Sequence, residues 1–442
     1  MTTARIVISR TKLGVWSAFL NYNKVLELAF DRQGELIQVG NIFRGKVVRL
    51  LPSINGAFVD IGVSENGFIH SRDVLARSKL AIDENQHAER PIHLSLRVGE
   101  LVLVQVTKES IGPKPFRLSS NLSLAGRNLV YIPRSGHIGI SRKLDLEEDR
   151  QRLKSLLKKL QEKENFSAND GFILRSNGKE ASEKQLLSEM KNLQYQWREI
   201  ETVFNVVKGI GLLYKNHSRA IELLRDRFGN EPLEVLVDDE ILYKQACELF
   251  HVQFPWQGAT VKKYQGAIPL FKKFGFDQVV DNIYKRVVDL RSGGTIVIEL
   301  TEALVSIDVN SAGSGQKVSS SAINLKVNLE AAREIAFQLR LRNLGGIIVI
   351  DFINMNSNAD KEKLRISFIK LLEDDPAKTT VYDISALGLL EMSRQRSTKS
   401  LFEIFQERCD VCDGFGLRRS VDAIDDSVVL KIPADNTSIN DQ

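Results

Sequence analysis

Leu304-Val305-Ser306-Ile307-Asp308-Val309 and Ile347-Ile348-Val349-Ile350-Asp351 are two apolar runs that each lead into an aspartate. Runs of this length rich in Ile and Val read as strands, and the unbroken Ile347–Ile350 stretch has the composition of a buried central strand. Between them, Asn328 to Asn343 reads as a helix carrying Leu329, Ala332, Ile335, Ala336 and Leu339 on one face, stopped by Gly345-Gly346. Strand, helix, strand predicts two neighbouring strands in an α/β sheet. The two carboxylates then converge at the carboxyl-end edge, where such sheets bind ligands. Paired carboxylates repel unless a cation lies between them, and Mg²⁺ is held by one or two carboxylates with water and phosphate completing its shell. Asn310 lies on the same side of the chain as Asp308 by the period of two and is placed to orient a carboxylate or bind a phosphate oxygen. A phosphodiester nuclease follows from this pattern. Solvated turn acids are the alternative that spacing leaves open.

Outward from this centre, Thr295–Leu300 is a further strand and the chain is α/β in character from about Ile283. Upstream, Gly40 to Leu122 reads as short strands with turn signals, including Pro52-Ser53-Ile54-Asn55-Gly56 between two apolar stretches. Gly45 falls inside the first of these strands, where a small barrel needs a sharp bend. Leu101–Val106 and the Ser119–Leu124 stretch complete a five-stranded barrel. Phe58, Phe68 and His70 are its candidate stacking rings, with Lys46, Arg49 and Lys114 to attract a phosphate backbone. Between Leu144 and Lys208 the period is helical: Leu153, Leu156, Leu157 and Leu160 share one face, and Ser182 with Gln185 forms a capping box ahead of Leu186, Met190, Leu193 and Trp197.

Composition narrows the class. The chain has 442 residues, three domains' worth at about 150 residues each. Its excess of 61 basic over 56 acidic residues permits nucleic acid without requiring it. No stretch approaches the roughly 18 uncharged apolar residues of a membrane span, so none is expected. Three cysteines make no disulfide framework. Cys409-x-x-Cys412 followed by Gly414-Phe415-Gly416 resembles half of a zinc knuckle, and two chains would supply the four thiolates that a structural Zn²⁺ needs. Cys247, between Leu242 and Phe250, is expected to be a small buried hydrophobe.

Several segments together resemble the catalytic half of the ribonuclease E/G family. These are Gly45 to Asp60, Gly67-Phe68-Ile69-His70, Leu124-Ala125-Gly126, Ser306 to Ser311, Asn328-Leu329-Glu330-Ala331-Ala332, Arg340 to Gly346, Val349 to Ile353 and Gly388 to Arg394, in the family's order. The resemblance implies an α/β mosaic. Residues 1–38 with 216–282 would form a degenerate RNase H-like subdomain, interrupted by an OB-fold barrel (39–121) and a 5′-sensor region (122–215). A DNase I-like α/β subdomain (283–402), a zinc link (403–418) and a frayed tail (419–442) would follow.

By the same resemblance, Asp308 and Asp351 hold a catalytic Mg²⁺ and Asn310 assists. The substrate is single-stranded, A/U-rich RNA, left with 5′-monophosphate and 3′-hydroxyl ends during rRNA and mRNA processing and decay. Phe58, Phe68 and Lys114 match the RNA channel. Gly126, Val130, Arg175, Ser176 and Lys378 match the pocket that senses a 5′-phosphate, with lysine where arginine is usual. Asn354 replaces an aspartate common after the Asp351 strand, which motivates a rival expectation of a catalytically weakened RNA-binding protein. The resemblance further implies a homodimer sharing Zn²⁺ through Cys409 and Cys412, without the family's scaffold tail for a degradosome. The expected location is a bacterial cytoplasm, or a plastid stroma for an organelle-encoded copy.

Overall fold

The computed structural model describes residues 4–21, 24–75, 90–110, 114–144, 146–164, 166–227, 233–250, 259–311, 321–373, 375–396, 398–407 and 409–412. Four sheets and their helices make a mixed α/β protein. The chain divides into two compact units, residues 1–401 and 402–442.

The first sheet joins distant parts of the chain. Strands Ala4–Arg10, Gly14–Asn21 and Lys24–Arg32 run antiparallel, and the first of them pairs in parallel with Leu233–Val237, which pairs in parallel with Ala259–Lys263. Ile6, Ile8, Val235 and Val237 are fully buried here against Ile221, Leu224 and Leu242. Parallel pairing of this kind needs a crossover, and everything from the barrel to helix Arg219–Asp226 is inserted within it.

The second sheet has six strands: five close a barrel, and Gly211–Tyr214 adds to strand Ile42–Leu51. Strand Ile42–Leu51 pairs through its first half with Leu101–Lys108 and through its second half with Gly56–Asp60. Gly67–His70 and Arg117–Ser119 close the ring. Gly45 lies where the strand passes from one partner to the other, and a Cβ there would meet Val59 at 2.5 Å, which accounts for glycine inside this strand. The expected Ser119–Leu124 closure is displaced: the barrel closes through Arg117–Ser119, while Leu124–Ala125 pairs with Leu129–Ile132 in a third sheet.

That third sheet, completed by Ile138–Ile140 and Gly171–Leu174, is covered by helices Glu147–Lys163 and Glu183–Val206. Leu153, Leu157 and Leu160 are buried as their spacing requires, and both halves of the Ser182–Gln185 capping box are formed.

The fourth sheet runs Val287–Asp289, Thr295–Leu300, Leu304–Asn310, Gly346–Asp351, Leu389–Arg394, Thr379–Ile384. Its two central strands are parallel and the other pairings antiparallel. The connecting helix spans Ser321–Leu341, starting seven residues before the expected Asn328. With Asn358–Leu371 it forms a helical pair beside this sheet. Ile307, Val309, Ile348 and Ile350 are buried, whereas Ile347 is 57% exposed. The Ile347–Ile350 run is therefore central by pairing but buried on one face only, because the sheet's other face is open. Among the described residues no helix is long and apolar enough to cross a membrane.

A short helix, Leu401–Phe405, begins at the last residue of the first unit and precedes Cys409 and Cys412 of the second. Gly414, Phe415 and Gly416 of the knuckle and the 419–442 tail lie outside the described residues.

Candidate functional site

Strands Leu304–Asn310 and Gly346–Asp351 pair in parallel, and their register sets Asp308 directly beside Asp351. Neighbouring strands lie about 4.8 Å apart, so the two side chains leave the same face at adjacent positions. Both aspartates are exposed, and both belong to the face that the helices leave open. Asn310, two residues along on that face, donates from Nδ2 to Asp308 Oδ2 at 2.8 Å. The carboxylate is thus oriented while most of its lone pairs remain free.

The loop after Asp351 is held by a residue that sequence reasoning left without a role. Asn328, fully buried, donates from Nδ2 to the Ile353 carbonyl at 2.7 Å and accepts the Ile353 N–H at 3.0 Å. Asn324 donates to the Asn354 carbonyl at 3.0 Å. The signal for this was an asparagine, polar in type, at a helical core position. Asn354 itself offers this structure a backbone acceptor rather than an acid.

The donor set fits a hard divalent cation. Two adjacent, exposed carboxylates supply oxygen ligands, and solvent has access for the waters that Mg²⁺ retains. Among the described residues no three His, Cys, Asp or Glu side chains gather into a metal cage. A cation here would therefore depend on water and substrate oxygens for the rest of its shell.

On the barrel, Phe58 and Phe68 are direct cross-strand partners with ring centroids 5.9 Å apart in an edge-on arrangement. They alternate with the core residues Ala57, Val59 and Ile69, which puts both half-buried rings on the outer face. Arg49 is registered opposite Phe58, and Arg117 opposite Phe68. An aromatic pair flanked by two guanidiniums therefore crosses four strands, and Arg117 is a member the sequence reading missed. Lys114 is exposed just before this row, with Lys46 on the strand of Arg49.

The Arg175 region is more crowded. Arg175 donates from Nη1 to the Gly126 carbonyl and to Asp226 Oδ1, both at 2.7 Å. Burial works against a charge on Asp226, yet the Arg225 and Arg175 guanidiniums hold its carboxyl below the usual range. Glu189 seals the floor, accepting from Asn128 N at 2.9 Å, Asn128 Nδ2 at 2.8 Å and Leu129 N at 3.3 Å. Its burial pushes its carboxyl up. A Cβ on Gly126 would sit 2.0 Å from Glu189 Oε1, so only glycine fits there. Val130 pairs with Ala125 and Ile173 in the adjoining sheet. Ser176, exposed, begins the turn after Arg175. Lys378 is exposed on the approach to strand Thr379–Ile384, and among the described residues no hydrogen bond joins it to Arg175 or Gly126. The structure thus brings Gly126 and Arg175 together and adds Asp226 and Glu189, which only the tertiary fold reveals.

In the second unit, backbone N–H groups of Cys412 and Val411 directed at Cys409 lower its thiol pKa. Amides turned toward sulfur favour thiolate, the form that binds metal. Cys247 is half-buried rather than buried, and it shares a hydrogen bond with Tyr243.

Comparison with known proteins identifies relatives of this chain. Residues 123–397 match the family model described as the ribonuclease E/G family. The chain is 32% identical to ribonuclease G of Escherichia coli K12 over 425 residues, spanning 96% of this chain and 86% of that protein. It is 31% identical to ribonuclease G of Haemophilus influenzae over 410 residues, spanning 92% and 82%. A Synechocystis ribonuclease E is 34% identical over 388 residues, 86% of this chain and 55% of that longer protein. A family match over more than half of the chain, together with relatives aligned along nearly all of it, means that the chain belongs to the ribonuclease E/G family.

Proposed function

We propose that this chain is a Mg²⁺-dependent endoribonuclease that hydrolyses single-stranded, A/U-rich RNA at the Asp308–Asp351 edge, leaving 5′-monophosphate and 3′-hydroxyl ends. Membership of the ribonuclease E/G family makes it an endoribonuclease; the metal, the residues and the products are our reading. The observation that carries the reading is the in-register pairing of two exposed aspartates on parallel strands. A divalent cation bound here would activate water for attack and offset the charge that develops on the phosphate. Asp308 and Asp351 would hold it, and Asn310 fixes the Asp308 carboxylate through its amide. Asn328 acts at one remove by clamping the loop that follows Asp351.

The Phe58–Phe68 pair stacks on unpaired bases, while Arg49, Arg117 and Lys114 attract the phosphates between them. Base stacking of this kind requires single strands, since paired bases keep their faces covered. Gly126, Val130, Arg175, Ser176 and Lys378 form the 5′-end pocket, in which a terminal phosphate exchanges with the Asp226 carboxylate for Arg175. We assign the division of the chain given by the resemblance to these parts, from the RNase H-like sheet through the barrel and sensor to the DNase I-like sheet. Cys409 and Cys412 of two protomers share one Zn²⁺ and make a homodimer. Cys409→Ser is expected to release zinc and halve the particle mass in light scattering; retained zinc with unchanged mass would refute the shared site.

The central test uses a short 5′-monophosphorylated A/U-rich RNA with Mg²⁺ or a chelator. Asp308→Asn and Asp351→Asn are each expected to slow internal cleavage by roughly 10³, the scale on which losing charge stabilisation at a reacting centre acts. RNA affinity should stay within about two-fold, because the acids contribute no attraction to phosphate. Tight binding without cleavage in any divalent metal would instead favour an RNA-binding protein, the outcome that Asn354 in place of an acid makes worth testing.

A further inference from the structure

A large cleft lies outside the acid pair, with neither Asp308 nor Asp351 in its lining. It measures about 1060 Å³ and lies between the strand Lys24–Arg32, helix Ser321–Leu341, the turn at Asp289–Ser292 and helix Asn358–Leu371. Among the described residues it is lined by six cations, Lys24, Arg291, Lys326, Arg333, Arg340 and Lys363, against three acids. Two of those acids are already engaged: Glu330 accepts from Ser292 N at 3.2 Å and Glu334 from Gln338 Nε2 at 2.8 Å. Lys326, Arg333 and Lys363 are exposed and make no ion pair among the described residues. Arg340 Nε is buried with no hydrogen-bond partner among them. For a chain with only five net positive charges, this is a concentrated excess.

The cations are ordered. Lys326, Arg333 and Arg340 recur every seven residues, which on a helix keeps them near one face and spreads them over about 21 Å. This helix runs antiparallel to the strand of Asp308, so its first turns lie toward the carboxyl-end edge. Lys326 lies in the same turn as Asn324 and Asn328, the two residues that hold the loop after Asp351, but on the opposite side of the helix. The row therefore starts in the helical turns that hold the Asp351 loop and leads away from them. Lys24 Nζ lies 4.1 Å over the Phe337 ring, so the cleft's aromatic face is already covered by a cation and offers no stacking platform. What remains is a track of positive charge with apolar walls from Leu325 and Leu329.

We propose that this cleft is a second RNA-binding site, which takes the phosphate backbone of a substrate strand beyond the segment held at the barrel and the acid edge. It reads no sequence, because its contacts are charges at helical spacing rather than base-edge donors and acceptors. The inference rests on RNA being the substrate but not on the acids performing the cleavage. Its effect is on long substrates: strands too short to reach from the barrel into the cleft gain nothing from it.

The test compares the full chain with Lys326→Gln/Arg333→Gln/Lys363→Gln, all exposed positions, on two A/U-rich strands with identical 5′ segments. One strand has about 10 nucleotides, enough for a barrel site alone, and the other about 30. Binding is measured in chelator and is therefore read whether or not the acid pair proves catalytic. The variant is expected to bind the long strand about ten-fold more weakly, with the slope of log affinity against log salt reduced by about 2, at roughly 0.7 per lost phosphate contact on a single strand. Binding and cleavage of the short strand should not change. In the unaltered protein, the long strand but not the short one should protect Lys326 and Lys363 from acetylation, read by mass spectrometry, which needs no variant to fold. Unchanged long-strand affinity and slope, equal losses on both strands, or absence of lysine protection would each overturn the proposal.

Discussion

The carboxylates of the fourth sheet and those around its flanks are the same chemical group put to opposite uses. Asp308 and Asp351 stand exposed on an open face, with one amide fixing one of them. Asp375 is fully buried, accepts both Arg394 Nε at 2.9 Å and Arg394 Nη2 at 3.0 Å, and takes the Ala377 N–H at 2.9 Å. Arg394 in turn reaches the Leu344 carbonyl at 2.7 Å, so this pair ties the end of the long helix to the last strands of the sheet. Glu189 is sealed among three donors, and burial pushes Asp31 up to about 6 despite Arg219 nearby. An acid whose lone pairs are all used holds the fold together. An acid that the fold leaves half-satisfied retains the capacity to bind a cation and substrate.

Breaking a sealed acid should therefore show itself in stability. Asp375→Ala strands the Arg394 guanidinium without a counter-charge and is expected to lower unfolding stability by about 3–5 kcal/mol. Asp308→Asn, on the open face, should change it by no more than about 0.5 kcal/mol. Chemical denaturation of the two variants side by side checks this. If both melt like the parent, the distinction between sealed and open acids fails. Replacing the pair together, Asp375→Ala/Arg394→Met, should recover part of the loss, because the penalty comes from the unpaired charge rather than the missing contact.

The contrast between these acids was only half visible in sequence. Asp308 and Asp351 stand out because each follows an apolar strand run, and a period-two pattern fixes which face they share with Asn310. The barrel strands and the Ser182–Gln185 cap are legible for the same reason: their signals are local. Asp375 follows no pattern, and its meaning comes from Arg394, nineteen residues on and across a strand. Ile347 was misleading, because an apolar run looks the same whether one or both faces of its strand are covered. Gly171–Leu174 is a strand of four residues between two long helices, too short to establish a period of its own. The Lys326-Arg333-Arg340 series was readable as spacing, yet a charge row on a helix reads as a solvated face until a cleft is found in front of it.

Asp226 falls between the two classes and gives the smallest of these effects. It is partly accessible, and it occupies the guanidinium that the 5′-end pocket would offer to a terminal phosphate. If it acts as a placeholder, Asp226→Asn leaves Arg175 held by the Gly126 carbonyl but without a competing charge, and a 5′-monophosphate then binds without displacing a carboxylate. An ion pair of this exposure contributes about 0.2–1 kcal/mol, so the preference for 5′-monophosphate over 5′-hydroxyl RNA should rise by about 1.4- to 5-fold. Matched cleavage rates on the two substrates measure it. A fall in preference would mean instead that Asp226 aims Arg175 at the phosphate, which would move this acid to the side of the sealed ones. The direction of the change is therefore more informative than its size, since competition and positioning predict opposite signs from the same 2.7 Å contact.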